Sequence, residues 1–395
     1  MNVVELDGVF RYGSTSNSRE HARNVRPMIS SIEIQGYRGF DRFEMSGLGR
    51  VTLLVGTNNS GKTSVLEALY LLASRGDPFA LWQVLWRRGE RTTSERDPRR
   101  QQPELDLHHL FKGHEFQAAT KFTISARNQV PEQTVTFAIS EMSAKDRAEL
   151  FGPIENGTIA SRLVLQIKGN PPPLVSVLPL SRLGGISADA LETPPRRMRR
   201  RAAVAAAQFI TQESLTGDEL AALWDRISLT PDEELVLRAL QFLDRDIERV
   251  AAQTSQAMYY GSLNRGGFIA KVKGFEHPIP IGSLGDGMWR MLAMAIAITQ
   301  CKGGFLLIDE IDTGLHYTVM ADMWKLIYNA AKEFDVQVFA TTHSNDCVYS
   351  LAPVCPSNAD ENNVTVQRIE AGKFRAVPYS EIEIKIAAEK GLELR

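Results

Sequence analysis

The stretch VTLLVGTNNSGKTSVLEALYLLA, residues 51–73, decides how this chain is read. VTLLV is a short continuous apolar run, the pattern of a strand covered on both faces. Gly56 to Thr63, GTNNSGKT, fits G-x-x-x-x-G-K-[ST]. Beyond it Val65, Leu66, Leu69, Tyr70, Leu72 and Ala73 recur at helical spacing. A glycine-rich loop between a strand and a helix start turns backbone N–H groups, and the positive end of the helix dipole, toward phosphate oxygens. In that arrangement Lys62 reaches the outer phosphates of a nucleoside triphosphate and the Thr63 hydroxyl ligates Mg2+.

Two later segments supply matching chemistry. In FLLIDE, four apolar residues place Asp309 at the carboxyl end of a buried strand, where parallel sheets bind ligands. Asp309 is expected to hold Mg2+, and Glu310 to orient an attacking water. ATTHS puts His343 at the end of the next buried strand, in reach of the terminal phosphate or the water. A second turn with phosphate-gripping character, GSLGDG at 282–287, precedes the helical run MWRMLAMAIAI. Its rival reading is a helix-capping turn at Ser283.

The order of P-loop, Ser-x-Gly-Asp-Gly, Asp-Glu and His resembles the ABC-type ATPases, and within them the structural-maintenance-of-chromosomes and DNA-repair ATPase heads. More narrowly, the chain is similar to the overcoming-lysogenization-defect (OLD)-type AAA ATPases. GYRGF, GTNNSGKTSVLEAL, GDGMWRMLAMAIAI, LLIDEIDTGLH and ATTHS follow that group's order, and EIKIAAEKGLELR matches its usual end. The resemblance covers roughly residues 28–395 and implies an ATP- and Mg2+-dependent hydrolase. It implies nucleotide contacts at Arg38, Gly56, Asn58, Asn59, Ser60, Gly61, Lys62, Thr63 and Ser64, with Thr63 and Asp309 on the metal and Glu310 and His343 in catalysis. It also implies that Ser283, Gly285, Asp286 and Gly287 form a signature turn gripping the nucleotide of another copy. Asp312 then lies at the interface of a homodimer or higher oligomer. Asp286 stands where the family has a glycine. The family's Q-loop glutamine has three candidates, Gln83, Gln101 and Gln102.

Many members of the group carry a C-terminal Toprim nuclease. Too little chain follows His343 for one, so the expectation is a stand-alone ATPase serving a separately encoded effector. A Toprim-type nuclease is one form of that effector, in defence against phage or foreign DNA. Rival readings are a DNA-repair ATPase, a nucleotide-gated scaffold with little turnover, and a transporter's nucleotide-binding subunit. The atypical signature and the long β region argue against the last.

The expected fold is α/β, a P-loop ABC-type head with a mainly parallel core sheet, an antiparallel β lobe and a short helical insertion. A flexible arm over 1–28 precedes an ATPase domain over 29–395. Strand patterns in TKFTISA, QTVTFAIS, RLVLQIK and LVSVLPL place the β lobe at 104–181. Residues 205–256 read as helices with Thr-led starts at TGDEL and TPDEE, and 264–395 carry the signature, acid pair and histidine.

Composition narrows the classes. The 395 residues carry 45 Lys+Arg against 47 Asp+Glu, a net charge of -2, so no global attraction to nucleic acid is expected. The local run RRMRRR at 196–201 leaves DNA open as a ligand; it reads equally as a phosphate or acidic-partner contact and as a solvated loop. LWQVLWRRGER is read both as a partner surface and as core packing. Cys301, Cys347 and Cys355 lack metal-type spacing and fit a reducing cytoplasm. No apolar run reaches membrane-span length. His108, His109, His114 and His277 are read as structural.

Overall fold

The computed structural model describes residues 28–92, 104–127, 132–143, 162–170, 174–181, 184–187, 206–253, 267–355 and 363–395. The arm before Met28, the basic run 196–201, Gln101 and Gln102 lie outside the described residues.

The chain opens with the hairpin β1 (Ser31–Tyr37) and β2 (Phe40–Ser46), then β3 (Val51–Val55). Helices α1 (Lys62–Ala73) and α2 (Pro78–Arg87) follow, then the short strands β4 (Arg91–Thr92) and β5 (Glu104–Asp106). Next come β6 (Lys121–Arg127), β7 (Gln133–Glu141), β8 (Leu163–Asn170), β9 (Leu174–Pro179) and β10 (Gly185–Ser187). Strand β11 (Ala207–Ile210) leads to α3 (Gly217–Trp224), α4 (Pro231–Gln241) and β12 (Ile247–Ala252). The last third holds β13 (Phe268–Val272), β14 (Ile279–Pro280), α5 (Asp286–Thr299), β15 (Phe305–Ile308), α6 (Tyr317–Glu333) and β16 (Gln337–Thr341). It closes with α7 (Asn345–Tyr349), β17 (Val364–Arg368), β18 (Val377–Tyr379) and α8 (Glu381–Lys390).

The central sheet runs β11-β15-β16-β3-β17-β18, parallel throughout except for the final hairpin. Period-two alternation splits its side chains between two cores. Leu53, Val55, Leu306, Ile308, Val338 and Ala340 face the helical layer of α3 to α6. Leu54, Leu307 and Phe339 face α1, α2 and the antiparallel sheet. That second sheet has the order β2-β1-β6-β7-β8-β9. Two small antiparallel sheets, β10-β5-β4 and β12-β13-β14, complete the α/β architecture that the sequence led us to expect.

Two expectations need correction. Residues 205–256 are not all helical: α3 and α4 lie between β11 and β12. The alanine-rich run before Phe209 favours helix locally, but Ala207–Ile210 pairs in parallel with Phe305–Ile308, and pairing outweighs propensity. The β lobe is also not confined to 104–181, because β6 pairs directly with β1. Among the described residues no helix is long and apolar enough to cross a membrane.

One buried side chain stitches the two large sheets together. The Gln337 amide, 2% exposed, donates to the carbonyls of Ile29 (2.8 Å) and Gly49 (2.9 Å) and accepts from the Ile29 N–H (2.9 Å). Gln337→Met fills similar space but strips partners from buried backbone groups. It is expected to lower the unfolding free energy by about 3 kcal/mol in urea titration; an unchanged midpoint would refute this role.

Candidate functional site

Because β3, β15, β16 and β11 are parallel, the loops after them emerge at one sheet edge. The loop after β3 is built around two glycines that no other residue could replace. Gly56 has φ 142°, and an added Cβ would lie 2.2 Å from the Ile369 carbonyl oxygen. Gly61 has φ 100°, and an added Cβ would lie 2.5 Å from the Phe40 ring. No side chain caps α1 at Gly61, so its first-turn amides are left to a ligand. The Lys62 ammonium is buried and folds back onto the carbonyls of Gly56 (2.8 Å) and Thr57 (2.9 Å). Burial pushes its pKa down, against the pull of Asp309 and Glu310. The Ser60 hydroxyl is buried with no hydrogen-bond partner among the described residues. A free hydroxyl, a buried ammonium and uncapped amides together suit a polyphosphate.

The acid pair hangs beside this loop. The Thr63 hydroxyl lies 3.0 and 3.2 Å from the two Asp309 carboxylate oxygens, and Thr341 donates to the same carboxylate at 2.6 Å. Glu310 sits in the left-handed region at φ 48°. Its N–H donates to the Thr341 hydroxyl at 2.7 Å, and its carboxylate lies 3.7 Å from His343 Nε2. Thr313 donates to the other Glu310 oxygen at 3.3 Å. Among the described residues no group of three His, Cys, Asp or Glu is placed to hold a metal by itself. An all-oxygen set of Thr63, Asp309 and nucleotide phosphate fits Mg2+, which binds through few protein ligands.

Two clefts flank the loop. One, about 680 Å³, runs along Asn59, Ser60, Gly61 and Ser64 to Phe40, His109, Lys112, His114 and the β17–β18 hairpin residues Lys373 and Phe374. The other, about 500 Å³, holds Thr63, Asp309, Arg88, Gln212 and Glu213. Gln212 does not stand out in the sequence, where FITQE falls within the stretch read as helical, whereas Phe209 and Ile210 end a strand and Gln212 follows it. The usable signal was a short apolar run followed by polar turn residues. Gln83 instead accepts a hydrogen bond from the Tyr70 hydroxyl. His109 and His114 line the first cleft with their Nδ1 atoms 3.2 Å apart. The three cysteines are buried, and burial pushes the Cys355 thiol up to about 12.

The remaining candidates fall elsewhere. Asn58 is exposed at the loop tip. Ser283, Gly285 and Asp286 are exposed at the start of α5, with Gly285 at φ 102°. This turn packs on its own chain's Gly314: a Cβ on Gly287 would lie 2.8 Å from the Gly314 carbonyl oxygen. Asp312 accepts from the Thr342 hydroxyl at 2.6 Å. Trp82 and Trp86 stack at 5.2 Å, partly buried against the core.

Arg38 lines the first cleft, but its guanidinium is committed to ion pairs with Glu67 (2.8 Å) and Glu90 (2.6 Å). Burial alone would weaken its charge, yet Tyr37, Glu67 and Glu90 outweigh burial and raise its pKa. Arg38→Met leaves two buried carboxylates short of a partner and is expected to cost about 3–5 kcal/mol in urea unfolding. Nucleotide affinity of the folded fraction should survive. A fully stable variant that had lost affinity would assign Arg38 to the ligand instead.

Residues 28–149 match a family model described as an AAA ATPase domain. Residues 176–346 match one described as an AAA domain, putative AbiEii toxin, Type IV TA system. An ATP/GTP phosphatase of Helicobacter pylori is 22% identical over 347 residues, 83% of this chain and 88% of that protein. The DNA replication and repair protein RecF of Bacillus thuringiensis is 40% identical over 45 residues, only 11% of this chain and 12% of RecF. Among solved structures, an SMC head bound to the C-winged helix domain of ScpA aligns at TM-score 0.43 and 15% identity, over 90% of this chain and 98% of that one. The SMC head domain from Thermotoga maritima aligns at 0.39 and 12%, over 89% and 98%. Both family models describe AAA-type domains, and the phosphate loop falls inside one matched range and the acid pair inside the other: the chain carries sequence similar to AAA-type ATPase domains over both parts of its candidate site.

Proposed function

We propose that this protein is a Mg2+-dependent ATP hydrolase whose sites are completed between two copies of the chain. The observation that carries this reading is the meeting of Thr63 with Asp309, and of Glu310 with His343, beside an uncapped glycine loop. In this reading the amides of residues 59–64 and the Lys62 ammonium bind the phosphates. Thr63 and Asp309 hold Mg2+, which supplies charge neutralisation on the phosphates. Glu310 accepts a hydrogen bond from the attacking water and aligns it with the terminal phosphate. His343, within 3.7 Å of that carboxylate, donates to the same water or to the phosphate as charge builds. Gln212 completes the wall of the metal corner. Arg38 and Asn58 stay on the rim of this assignment.

The turn 283–287 presents Ser283, Gly285 and Asp286 to solvent and lies beside Gly314, and in this reading it meets a second copy's nucleotide. ATP then joins two chains and hydrolysis releases them, with Asp312 at the seam. The partner of this cycle is a separately encoded effector, with a Toprim-type nuclease as one candidate. The match to a model described as a putative AbiEii toxin of a Type IV TA system runs over residues 176–346, whereas the RecF match spans 45 residues, and on that ground defence is preferred to repair.

Glu310→Gln is expected to bind ATP but to lower steady-state phosphate release by about 10²-fold, as for loss of acid–base help. Light scattering should then show an ATP-dependent assembly that persists. Normal turnover in this variant would remove Glu310 from the role.

Shared sites make a second expectation. Lys62→Ala removes the phosphate-binding charge, and Ser283→Arg fills the signature turn, so each variant alone should be inactive. In a mixed dimer one site combines the intact P-loop of one chain with the intact turn of the other. Phosphate release should return to at most about a quarter of wild type after random subunit exchange, less if the sites are coupled. Silence in the mixture would count against the trans reading if wild type mixed with Lys62→Ala remains active.

A further inference from the structure

Arg290 is the one arginine of α5, four residues beyond Asp286, and only 2% of it is exposed. Its partners are backbone carbonyls. One guanidinium nitrogen donates to Asp309 O (2.6 Å) and Glu310 O (2.9 Å), and the other to Thr211 O. Its Nε has no partner, and no carboxylate lies within ion-pair distance of it among the described residues.

Stability does not explain this choice. Burial disfavours the Arg290 charge, and the pull of Asp309, Asp312 and Glu310 offsets this only in part, so a charge is held here at a cost even though its donors satisfy three backbone carbonyls. Geometry does explain it. The three carbonyls belong to the turns that follow β15 and β11, where the acid pair and Gln212 begin. Glu310 is a non-glycine residue in the left-handed region, a conformation that persists only when its surroundings hold it. Both peptide ends of Glu310 are pinned, the N–H by the Thr341 hydroxyl and the C=O by Arg290. The helix that carries Arg290 starts at the signature turn, which packs without clearance on Gly314, four residues after Glu310.

We infer that Arg290 is a positioning residue of the hydrolytic site, fixing the Glu310 carboxylate and the Gln212 turn relative to the signature turn of the same chain. The inference rests on the reading of Glu310 as the residue that orients water. Arg290 touches neither substrate nor metal in this role. Its removal therefore changes the rate of the chemical step and leaves nucleotide capture at the P-loop in place.

Arg290→Met and Arg290→Lys test it, alongside wild type and Glu310→Gln. Thermal melting and binding of a fluorescent ATP analogue measure fold and capture, and steady-state phosphate release gives kcat and KM. The expected result for Arg290→Met is a folded protein with analogue affinity near wild type and kcat lowered by about 10²-fold, the scale of a misplaced catalytic group. Arg290→Lys, which keeps a charge but fewer donors, should recover part of kcat at unchanged KM. A folded Arg290→Met with wild-type kcat overturns the inference. If that variant fails to fold, Arg290→Lys decides: lowered kcat at unchanged KM supports positioning, and wild-type kcat refutes it. Loss of fold in both variants makes Arg290 a purely structural residue and also overturns it. If Glu310→Gln hydrolyses like wild type, or wild type does not hydrolyse ATP, the reading of Glu310 fails and the inference fails with it.

Discussion

Strand β3 is hydrogen-bonded in parallel to β16 on one side and to β17 on the other, and the chemical groups of the cleft hang from that pairing. Parallel neighbours end on the same side. The glycine loop after β3, the acid pair after β15, the histidine after β16 and Gln212 after β11 are therefore brought to one edge without any of them being near the others in sequence. The pairing also fixes spacing. Thr341, the last residue of β16, has a hydroxyl that reaches both the Asp309 carboxylate and the Glu310 amide on the adjacent strand's loop. A slip of one residue between β15 and β16 would turn that hydroxyl to the opposite face.

Several buried polar groups around this edge tie distant segments together. Gln337 binds the chain before β1 to the turn before β3, which locks the antiparallel sheet against the central one. Glu67, on the helix that the phosphate loop opens, holds Arg38 and Arg88. That network fixes the orientation of α1, and with it the amides that α1 presents to phosphate. Arg290 secures the far wall. Apolar packing on both faces of the sheet supplies most of the favourable free energy, while these polar ties decide where the loops stand.

The two turns with phosphate-gripping character differ in how they are held. The loop after β3 is closed in by Ile369 and Phe40, and its lysine is buried. The turn at 283–287 is open to solvent on one side and rests on Gly314 on the other. In the proposed reading, the enclosed loop of one chain and the open turn of another complete one site. The tie from the open turn through α5 to Glu310 gives such an assembly a route to the chemistry.

Much of this was legible in the sequence, because the information was local. The loop 56–63 announces itself between an apolar strand and a helical run, and its glycines are required by angles within a few residues. The buried strands before Asp309 and His343, the β1–β2 hairpin, strands β6 to β9 and the closing hairpin each declare their type by their own periodicity. What the sequence left undetermined depends on distant partners. Strand β11 has four residues and an alanine-rich approach, and only pairing with β15, nearly a hundred residues later, makes it a strand. Gln212 enters the site through that pairing alone. The same holds for Arg38, whose carboxylate partners Glu67 and Glu90 lie on other elements, and for Arg290, whose role exists only where three carbonyls converge. Local pattern sets the type of each element because backbone propensity and burial period act over a few residues. The identity of a polar side chain's partner is set by which strands and helices become neighbours, and that was decided only by the tertiary structure.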